Sequence, residues 1–324
     1  MHTTTRRTLL LAATAALALP AVVRAQAWPA RTVTFIVPFP AGGNIDVLAR
    51  AVAAELSEKL GQQFIVDNRA GAGGNIGGAA AAKAAPDGYT MLFGTPGPLS
   101  TNKLLYKSLP YDPEKDLTPV ILVGRSPLIV VAHPSTPAKD LKELIAYAKA
   151  NPDKLNAGNP GNGTLGHITS ELLQQHTGIK MTHVPYRGTP PLTTDVLGGQ
   201  VHVAFDFMPT YVPLVNEGRL RALAVTSSER APELPNVMTV QEAGFAGFEA
   251  TAWYAIVAPT GTPADIVQKV NAATNAYLKS PKGKAQLVQF NMQAAGGTPE
   301  DLRAYIANEQ KKWGPVVKAA NIVM

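Results

Sequence analysis

The segment TVTFIVPFPAGGNIDVLARAVAAEL, residues 32–56, decides the fold. Its first six residues are β-branched or apolar, as in a buried strand, and the prolines at positions 38 and 40 end that run. The turn Ala41-Gly42-Gly43-Asn44 follows. The next apolar residues recur at steps of three and four, which predicts a helix: Ile45, Leu48, Val52 and Leu56. Gly61 is placed to end this helix.

The same order of strand, glycine turn and helix recurs along the chain. Phe64–Val66 predicts a strand, Gly71–Asn75 a glycine turn, Ile76–Ala85 a helix and Tyr89–Phe93 another strand. This repetition predicts an α/β fold with a parallel sheet covered by helices. Further segments continue the alternation: Leu128–Ala132, Lys139–Ala150, Leu155–Gly158, Leu165–His176, Met181–Val184, Leu192–Leu197, Val201–Phe207, Leu220–Thr226, Trp253–Ala258, Ala264–Leu278 and Pro299–Ala320.

Length and composition indicate a two-lobed globular protein. A chain of 324 residues is long enough for two domains, each with its own core. The 46% hydrophobic content excludes a disordered chain, and the lack of cysteine excludes a disulfide scaffold. No low-complexity linker divides the sequence, so we expect the chain to cross between lobes twice, near Ile121–Val131 and Thr251–Val257.

The first 27 residues have the pattern of an export signal. Arg6 and Arg7 precede an apolar run from Leu9 to Leu19, and Ala25-Gln26-Ala27 supplies the small residues that signal peptidase requires. The paired arginines fit the twin-arginine route as well as general secretion. The apolar run is shorter than the roughly 20 residues of a membrane-spanning helix. We therefore expect cleavage after Ala27 and a soluble periplasmic product.

The charge distribution argues against a nucleic-acid partner. The predicted signal holds three arginines and no acid, so its removal lowers the formal net charge from +6 to +3. Acidic and basic residues alternate in the remainder, and no block of like charge is left.

Motifs for catalysis and cofactors are absent or incomplete. The six histidines show no metal-ligand spacing, and the chain has neither a nucleophile elbow nor a P-loop. Gly161–Gly166 matches G-x-G-x-x-G, but the acid that would hold a ribose about 20 residues later is missing. We therefore expect no metal and no cofactor.

Three glycine turns precede predicted helices, at 42–44, 71–75 and 161–164. Glycine permits the positive φ of a tight turn, which explains any one of them without a ligand. A helix start also presents unpaired N–H groups and a partial positive charge, which together attract an anion. Two such turns in the first lobe and one in the second favour an anion held between the lobes.

A series of motifs spans nearly all of the mature chain: Val37–Gly43 with Asp46 and Arg50, Asn68–Gly77, Pro86–Thr90, Gly161–Thr164 with His167 and Glu171, Val184–Gly188, Leu197–Val201, Leu220–Thr226 and Ala258–Pro263. In this order they resemble the substrate-binding proteins of tripartite tricarboxylate transporters, the Bug family. The resemblance implies a fold like that of type II periplasmic binding proteins. Such a fold has two lobes, each with a central, mostly parallel β-sheet flanked by helices, joined by two crossover strands.

The resemblance also implies the domain limits and the function. Residues 28–125 and 252–324 would form lobe 1, and residues 126–251 lobe 2. A monomer would capture a small carboxylate between the lobes, whether a di- or tricarboxylate, an aromatic acid or an acidic amino acid. It would deliver this ligand to a membrane carrier of the tripartite tricarboxylate type and catalyse no reaction.

Ligand-binding residues follow from the resemblance by position. In lobe 1 the implied contacts are Phe39, Ala41, Gly42, Gly43, Asp46, Gly73 and Gly74. In lobe 2 they are Asn159, Gly163, Thr164 and His167. Thr95, Gly97 and Asp206 are expected to face the same cleft.

Several of these residues have a second, purely structural interpretation. Asp46 either fixes its own loop or contacts the ligand through water, since an ionised carboxylate cannot bond directly to another. Thr164 is a helix cap or a ligand donor, and the cap is favoured. His167 is more often a structural residue than a ligand contact. Arg187 is a counter-charge at the cleft rim or a solvated loop residue, and Phe39, Trp253 and Tyr254 are wall or core residues.

Two other functions stay open at this point. An exported enzyme could use Asp46, His167 and Asp206 as acid or base, which requires them to lie within hydrogen-bond reach of one another. A receptor for a non-carboxylate solute would keep the fold and change the cleft.

Overall fold

The computed structural model describes residues 28–319, so the predicted signal and cleavage site at 1–27 lie outside the described residues, as do residues 320–324. The ten strands of the described chain are β1 (Val33–Val37), β2 (Phe64–Asn68), β3 (Thr90–Gly94), β4 (Leu117–Ala132), β5 (Asn156–Asn159), β6 (Thr182–Pro185), β7 (Val203–Phe207), β8 (Arg221–Val225), β9 (Thr251–Pro259) and β10 (Gln293–Ala294).

Helices connect most of these strands. They are α1 (Asn44–Leu60), α2 (Asn75–Ala82), α3 (Asn102–Leu105), α4 (Leu141–Ala150), α5 (Leu165–Thr177), α6 (Thr189–Leu197), α7 (Met208–Asn216), α8 (Ala264–Lys279), α9 (Pro281–Gln289) and α10 (Pro299–Ala319). Between residues 28 and 319, every helix is too short or too polar to cross a membrane.

Local sequence explains the ends of the first helix. Gly61 adopts φ +73° and donates its N–H to the Ser57 carbonyl, which satisfies an otherwise unpaired group at the end of α1. At its start, Gly43 is extended and offers no capping side chain. The predicted C-terminal glycine is confirmed, and the first N–H groups of α1 are left without a side-chain acceptor at the cap.

The strands pair in the order β2-β1-β3-β9-β4-β7-β5-β6, with β8 and β10 also paired to β4. Strands β1, β2 and β3 pair in parallel, as do β5, β6 and β7. The pairings made by β4 and β9 are antiparallel. The predicted α/β class is confirmed, with a parallel set of strands in each lobe and a mixed sheet around the two long strands.

One strand belongs to both lobes. Residues Leu117–Pro127 of β4 pair with β9. Residues Leu128–Ala132 pair with β7 on one edge, and Ile129–Ala132 pair with β8 on the other. Strand β4 and the start of β9 lie where the sequence predicted the two crossings. The lobes are therefore joined through backbone hydrogen bonds.

The last helix contacts the cores of both lobes. Leu302 of α10 is fully buried with Ile36 and Leu92 of the first lobe. Trp313, 1% exposed, packs with Leu128 and Phe205 in the core of the second lobe. The predicted lobe limits, which place the whole of α10 in lobe 1, stay a prediction. The second half of α10 packs against the core of lobe 2.

The parallel strands determine where the site lies. Strands β1, β2 and β3 end at Val37, Asn68 and Gly94, and β5, β6 and β7 end at Asn159, Pro185 and Phe207. Loops at the carboxyl ends of parallel strands share one edge of a sheet. The loops of the two lobes meet at these edges.

Candidate functional site

The first helix of one lobe contacts the second lobe through Asn44. This residue is 8% exposed and lies in the first turn of α1. Its Oδ1 accepts a hydrogen bond from Thr210 Oγ1 at 2.7 Å, and its Nδ2 approaches the Phe207 carbonyl oxygen at 3.5 Å. The start of α1 is therefore held against the start of α7 across the cleft.

A second contact joins the glycine turns of the two lobes. The Tyr106 hydroxyl donates to the Asn162 carbonyl at 3.3 Å. A methyl group at Gly73, where φ is +62°, would overlap that same carbonyl oxygen. The hydrogen that glycine carries in place of a side chain thus allows the lobes to approach here.

Two cavities lie between these contacts and share Phe39 and Pro160 as walls. The smaller, which we call the inner cavity, has a volume of about 10 Å³, which is the space of about one water molecule. It lies at the start of α1 and is lined by Phe39, Pro40, Gly43, Asn44, Ile45, Pro160, Thr189, Pro190 and Phe207. The outer cavity, of about 560 Å³, is lined by Phe39, Gly71, Ala72, Gly73, Gly74, Tyr106, Pro160, Gly161, Asn162, Pro185, Tyr186 and Arg187. Neither cavity is lined by aspartate or glutamate, and Arg187 is the one charged residue in the two linings.

Asp46 stabilises the loop before α1. Its carboxylate accepts hydrogen bonds from Gly42 N–H at 3.0 Å, from Asn68 Nδ2 at 2.9 Å and from Arg50 Nε at 3.0 Å. Burial favours the protonated form, but these hydrogen bonds outweigh it and hold the pKa of Asp46 below its ordinary value. The loop-fixing role of Asp46 is therefore seen directly, and the Gly42 N–H is engaged within its own lobe.

The turn before α5 is also hydrogen-bonded within its own lobe. Thr164 caps the helix by accepting from His167 N–H, and its hydroxyl proton goes to the Gly161 carbonyl at 2.6 Å. The Gly163 N–H donates to His167 Nδ1 at 3.3 Å. The favoured capping role of Thr164 is confirmed, and in this arrangement its hydroxyl has no proton to donate to a ligand.

His167, Glu171 and His183 form a cluster below that turn. His183 Nε2 lies 2.9 Å from Glu171 Oε1, and His167 Nε2 lies 3.8 Å from the same oxygen. Since Gly163 donates to Nδ1 of His167, the proton of the neutral ring is on Nε2, which leaves no lone pair there for a metal ion. Burial, followed by the neighbouring His183, lowers the pKa of His167 to about 4. The cluster has the chemistry of a hydrogen-bonded structural group.

Asp206 is fully buried at the end of β7 and has hydrogen-bond partners on both oxygens. Oδ1 accepts from Phe207 N–H at 2.8 Å and from Thr189 Oγ1 at 3.2 Å, and Oδ2 accepts from the Tyr211 hydroxyl at 3.1 Å. Burial raises the pKa of Asp206 to about 7, although these hydrogen bonds act in the opposite direction. Asp206 thus positions Thr189, which lines the inner cavity.

Some buried polar atoms near the loops lack a partner among residues 28–319. Asn159 Oδ1 accepts from Gly161 N–H, while its Nδ2 has no acceptor. Asn102 Oδ1 and the Tyr254 hydroxyl are likewise without partners. Tyr254 is fully buried, and its ring lies 6.1 Å from the ring of Phe207. Polar atoms of this kind are rare in a finished core and are expected beside a ligand or ordered water.

The structure brings together part of the predicted site. Phe39, Gly43, Gly73 and Gly74 line the cavities. Gly97 packs against the Gly73 carbonyl and Thr95 is 2% exposed, whereas Ala41 and Gly42 are exposed outside both linings. Arg187, left between two interpretations, is exposed and lines the outer cavity.

Sequence analysis missed other residues of the cleft. These are Pro40, Asn44, Tyr106, Pro160, Asn162, Thr189, Tyr186 and Phe207. Asn44 and Asn162 lie in the glycine turns and could have been chosen with them. Tyr106 follows a four-residue helix that has no periodic pattern, so only tertiary packing reveals it.

The chain is similar to known proteins over most of its length. The family model described as "Tripartite tricarboxylate transporter family receptor" matches residues 48–322. Protein BugT of Bordetella pertussis is 41% identical over 310 residues, which cover 94% of each chain.

Two solved structures are similar over most of their length. Rpa4515 of R. palustris, described with adipate, superposes with a TM-score of 0.89 at 41% identity, covering 91% of this chain and 99% of that one. MatC of Rhodopseudomonas palustris, described with bound malate, has a TM-score of 0.86 at 36% identity, covering 90% and 100%.

Proposed function

We propose that this chain, which belongs to the tripartite tricarboxylate transporter receptor family, captures a small carboxylate between its two lobes and presents it to a membrane carrier. The observation that carries the proposal is the pair of cavities where the lobes meet. They place the uncapped start of α1 against the second lobe, and no carboxylate lines them. Adipate and malate, described with the two similar structures, are both dicarboxylates.

The start of α1 supplies the attraction for one carboxylate. Gly43, Asn44 and Ile45 line the inner cavity, which has to widen from the space of about one water molecule to admit a carboxylate. A helix start adds about 0.3–1 kcal/mol for an anion through its partial charge. Each charge-assisted hydrogen bond contributes about 1.5–3 kcal/mol. Micromolar affinity needs about −8 kcal/mol after the cost of association, so a few such bonds at each end of a dicarboxylate are sufficient.

Export to the periplasm is part of the same proposal. It rests on the paired arginines, the apolar run and the small residues before position 28. A receptor released there as a soluble monomer would sample the solute and meet its carrier at the membrane surface.

The alternative of an enzyme has less support. Its three candidate residues hydrogen-bond to separate partners: Asp46 to Arg50 and Asn68, His167 to Gly163, and Asp206 to Thr189 and Tyr211. None of the three bonds to another, as a shared acid–base site would require.

A thermal-shift panel tests the proposal. Adipate, malate, glutamate and nicotinate are each added to the purified mature protein, with adipamide as an uncharged control, and positive results are followed by calorimetry. We expect at least one carboxylate, and not adipamide, to raise the Tm. If every carboxylate left the Tm unchanged, or if the protein consumed the bound acid when monitored by NMR, the receptor function would be rejected.

A further inference from the structure

Arg187 is an unpaired cation on the wall of the outer cavity. It lies between β6 and α6, is exposed, and lines the cavity opposite Gly73 and Tyr106. Five other arginines of the described chain form ion pairs with carboxylates: Arg31, Arg50, Arg69, Arg219 and Arg230. Among residues 28–319, Arg187 has no carboxylate within ion-pair distance. A cation without a protein partner in a cavity without acids is suited to an anion from solution.

The backbone that carries Arg187 is fixed on both sides. Tyr186 donates its N–H to the Asn159 carbonyl at 2.9 Å, and its hydroxyl donates to Asp195 at 2.7 Å. Gly188 has φ +119°, and a Cβ there would lie 2.7 Å from Pro40 Cδ in the other lobe. The backbone at Arg187 is therefore anchored in a loop that contacts both lobes, which places the origin of this side chain at the cleft.

We infer that Arg187 is a specificity-determining residue that binds the second carboxylate of a dicarboxylate ligand. This inference rests on the proposed function, in which the start of α1 holds the first carboxylate. The planar guanidinium can donate two parallel hydrogen bonds to one carboxylate, a geometry that an ammonium or a backbone N–H does not match. A ligand with one carboxylate can occupy either Arg187 or the start of α1 but not both, so the receptor discriminates dianions from monoanions.

The arrangement of the two cavities restricts the shape of a ligand that fits them. The inner cavity, at the start of α1, and the outer cavity, at Arg187, are in contact along Phe39 and Pro160. A molecule that reaches both charges passes these two apolar side chains. The class that fits is a dicarboxylate whose charged ends are separated by a chain or ring with an apolar surface.

Substitution of Arg187 by glutamine, compared with a control of equal charge change, tests the inference. Arg303→Gln is the control, because Arg303 lies on α10 in a groove lined by Leu99 and Val257, away from both cavities. The probes are the dicarboxylate of the panel that raises the Tm most and its monoamide, which keeps the length and removes one charge. Calorimetry gives the affinities, and circular dichroism verifies the fold of each variant.

We expect R187Q to weaken dicarboxylate binding by about 10- to 100-fold and monoamide binding by less than about threefold. R187K should recover only part of the loss, and R303Q should bind both probes as the parent does. Equal losses for both probes in R187Q, or an R187Q affinity within about twofold of the parent, would overturn the inference. A parent protein that binds a monocarboxylate and no dicarboxylate would also overturn it while leaving the receptor function intact, whereas a parent that binds no carboxylate would reject both.

Discussion

Asn44 Oδ1 lies 2.7 Å from Thr210 Oγ1, and this hydrogen bond joins the start of α1 in one lobe to α7 in the other. Asn44 also lines the inner cavity, so the same residue contacts the opposing lobe and lies beside the position proposed for the ligand. On the proposed function, we expect closure of the lobes and occupation of the cleft to be coupled through this side chain.

A double-mutant cycle measures this coupling. Asn44→Ala and Thr210→Ala each remove one partner of the bond, and a neutral hydrogen bond contributes about 0.5–1.5 kcal/mol. We expect each single variant to weaken carboxylate binding by about 2- to 13-fold, and the double variant to lose about 0.5–1.5 kcal/mol less than the sum of the two. Isothermal titration calorimetry gives the values, and strict additivity would show that the bond contributes equally to the free and bound states, which would contradict the coupling.

Gly73 is predicted to permit the close approach of the two lobes. Gly73→Ala places a methyl group on the Asn162 carbonyl oxygen, so the closed arrangement is blocked. Gly178→Ala is the matched control, because Gly178 has φ +70° with open space around it. Both should lose about 1 kcal/mol of unfolding free energy from the strained φ. Only G73A should lose ligand affinity, by about tenfold or more; equal affinities for the two variants would contradict this view of the interface.

The Asp46 carboxylate is predicted to stabilise the folded chain at neutral pH. Its pKa in the folded chain lies below the ordinary value of 3.8, so its contribution is present above that pH and is lost as the pH falls through the folded pKa. Asp46→Asn should lower the unfolding free energy by about 1–3 kcal/mol at pH 7, and by progressively less below about pH 4.

The control for Asp46 is Asp67→Asn, in which the removed partner of Arg69 is a surface carboxylate. Exposed pairs contribute about 0–1 kcal/mol, so this variant should stay close to the parent. Urea unfolding at several pH values measures both. A loss in D46N no larger than that in D67N would remove Asp46 from the residues that hold the glycine turn.

His167 is predicted to make stability depend on pH in the mildly acidic range. Its pKa falls from 6.5 to about 4 on folding, so the unfolded chain binds the extra proton first. Stability present above pH 6.5 should therefore decline as the pH falls toward 4, by up to about 3 kcal/mol from this group. Glu171, whose pKa is lowered mainly by its hydrogen bond with His183, stabilises the folded chain above its ordinary pKa of 4.5, and that contribution is lost only as the pH falls below this value.

Comparison with His167→Gln isolates the contribution of His167 to the pH dependence of the unfolding free energy. Between pH 7 and pH 4.5 the parent should lose more unfolding free energy than the variant, as measured in urea at fixed ionic strength. Parallel slopes for the two proteins, or an NMR titration of the His167 ring centred near 6.5, would contradict a buried neutral imidazole.

Much of the fold could be predicted from local pattern because strand and helix boundaries coincide with strong signals. The residues 33–37 of β1, and the end of α1 at Gly61, follow from β-branched runs and a left-handed glycine. Helix α7 was not predicted, because Pro209 and Pro213 lie within it and proline normally interrupts a helix. Here the buried Tyr211 and Val212 pack into the second lobe and favour the helix through tertiary contacts.

The position of the candidate site could be predicted from the sequence, but the hydrogen-bond partners of its individual groups could not. Glycine turns mark the loops that meet at the cleft, which is why Gly43 and Gly73 were found. The partner of an individual N–H group depends on side chains brought in by the fold, as when Asp46 takes the Gly42 N–H and His167 takes that of Gly163. The spacing of residues in the sequence does not predict these hydrogen-bond partners. It also gave no indication that Phe207 and Tyr106 would line the same cleft.

The single strand β4 contributes to the backbone hydrogen-bond ladders of both lobes. We therefore expect the lobes to open by a rotation that keeps these ladders intact, because separating the lobes along β4 would break backbone hydrogen bonds within each lobe. A chain cut in the middle of β4 would give two fragments with unpaired strand edges, and we expect neither fragment to bind the ligand alone.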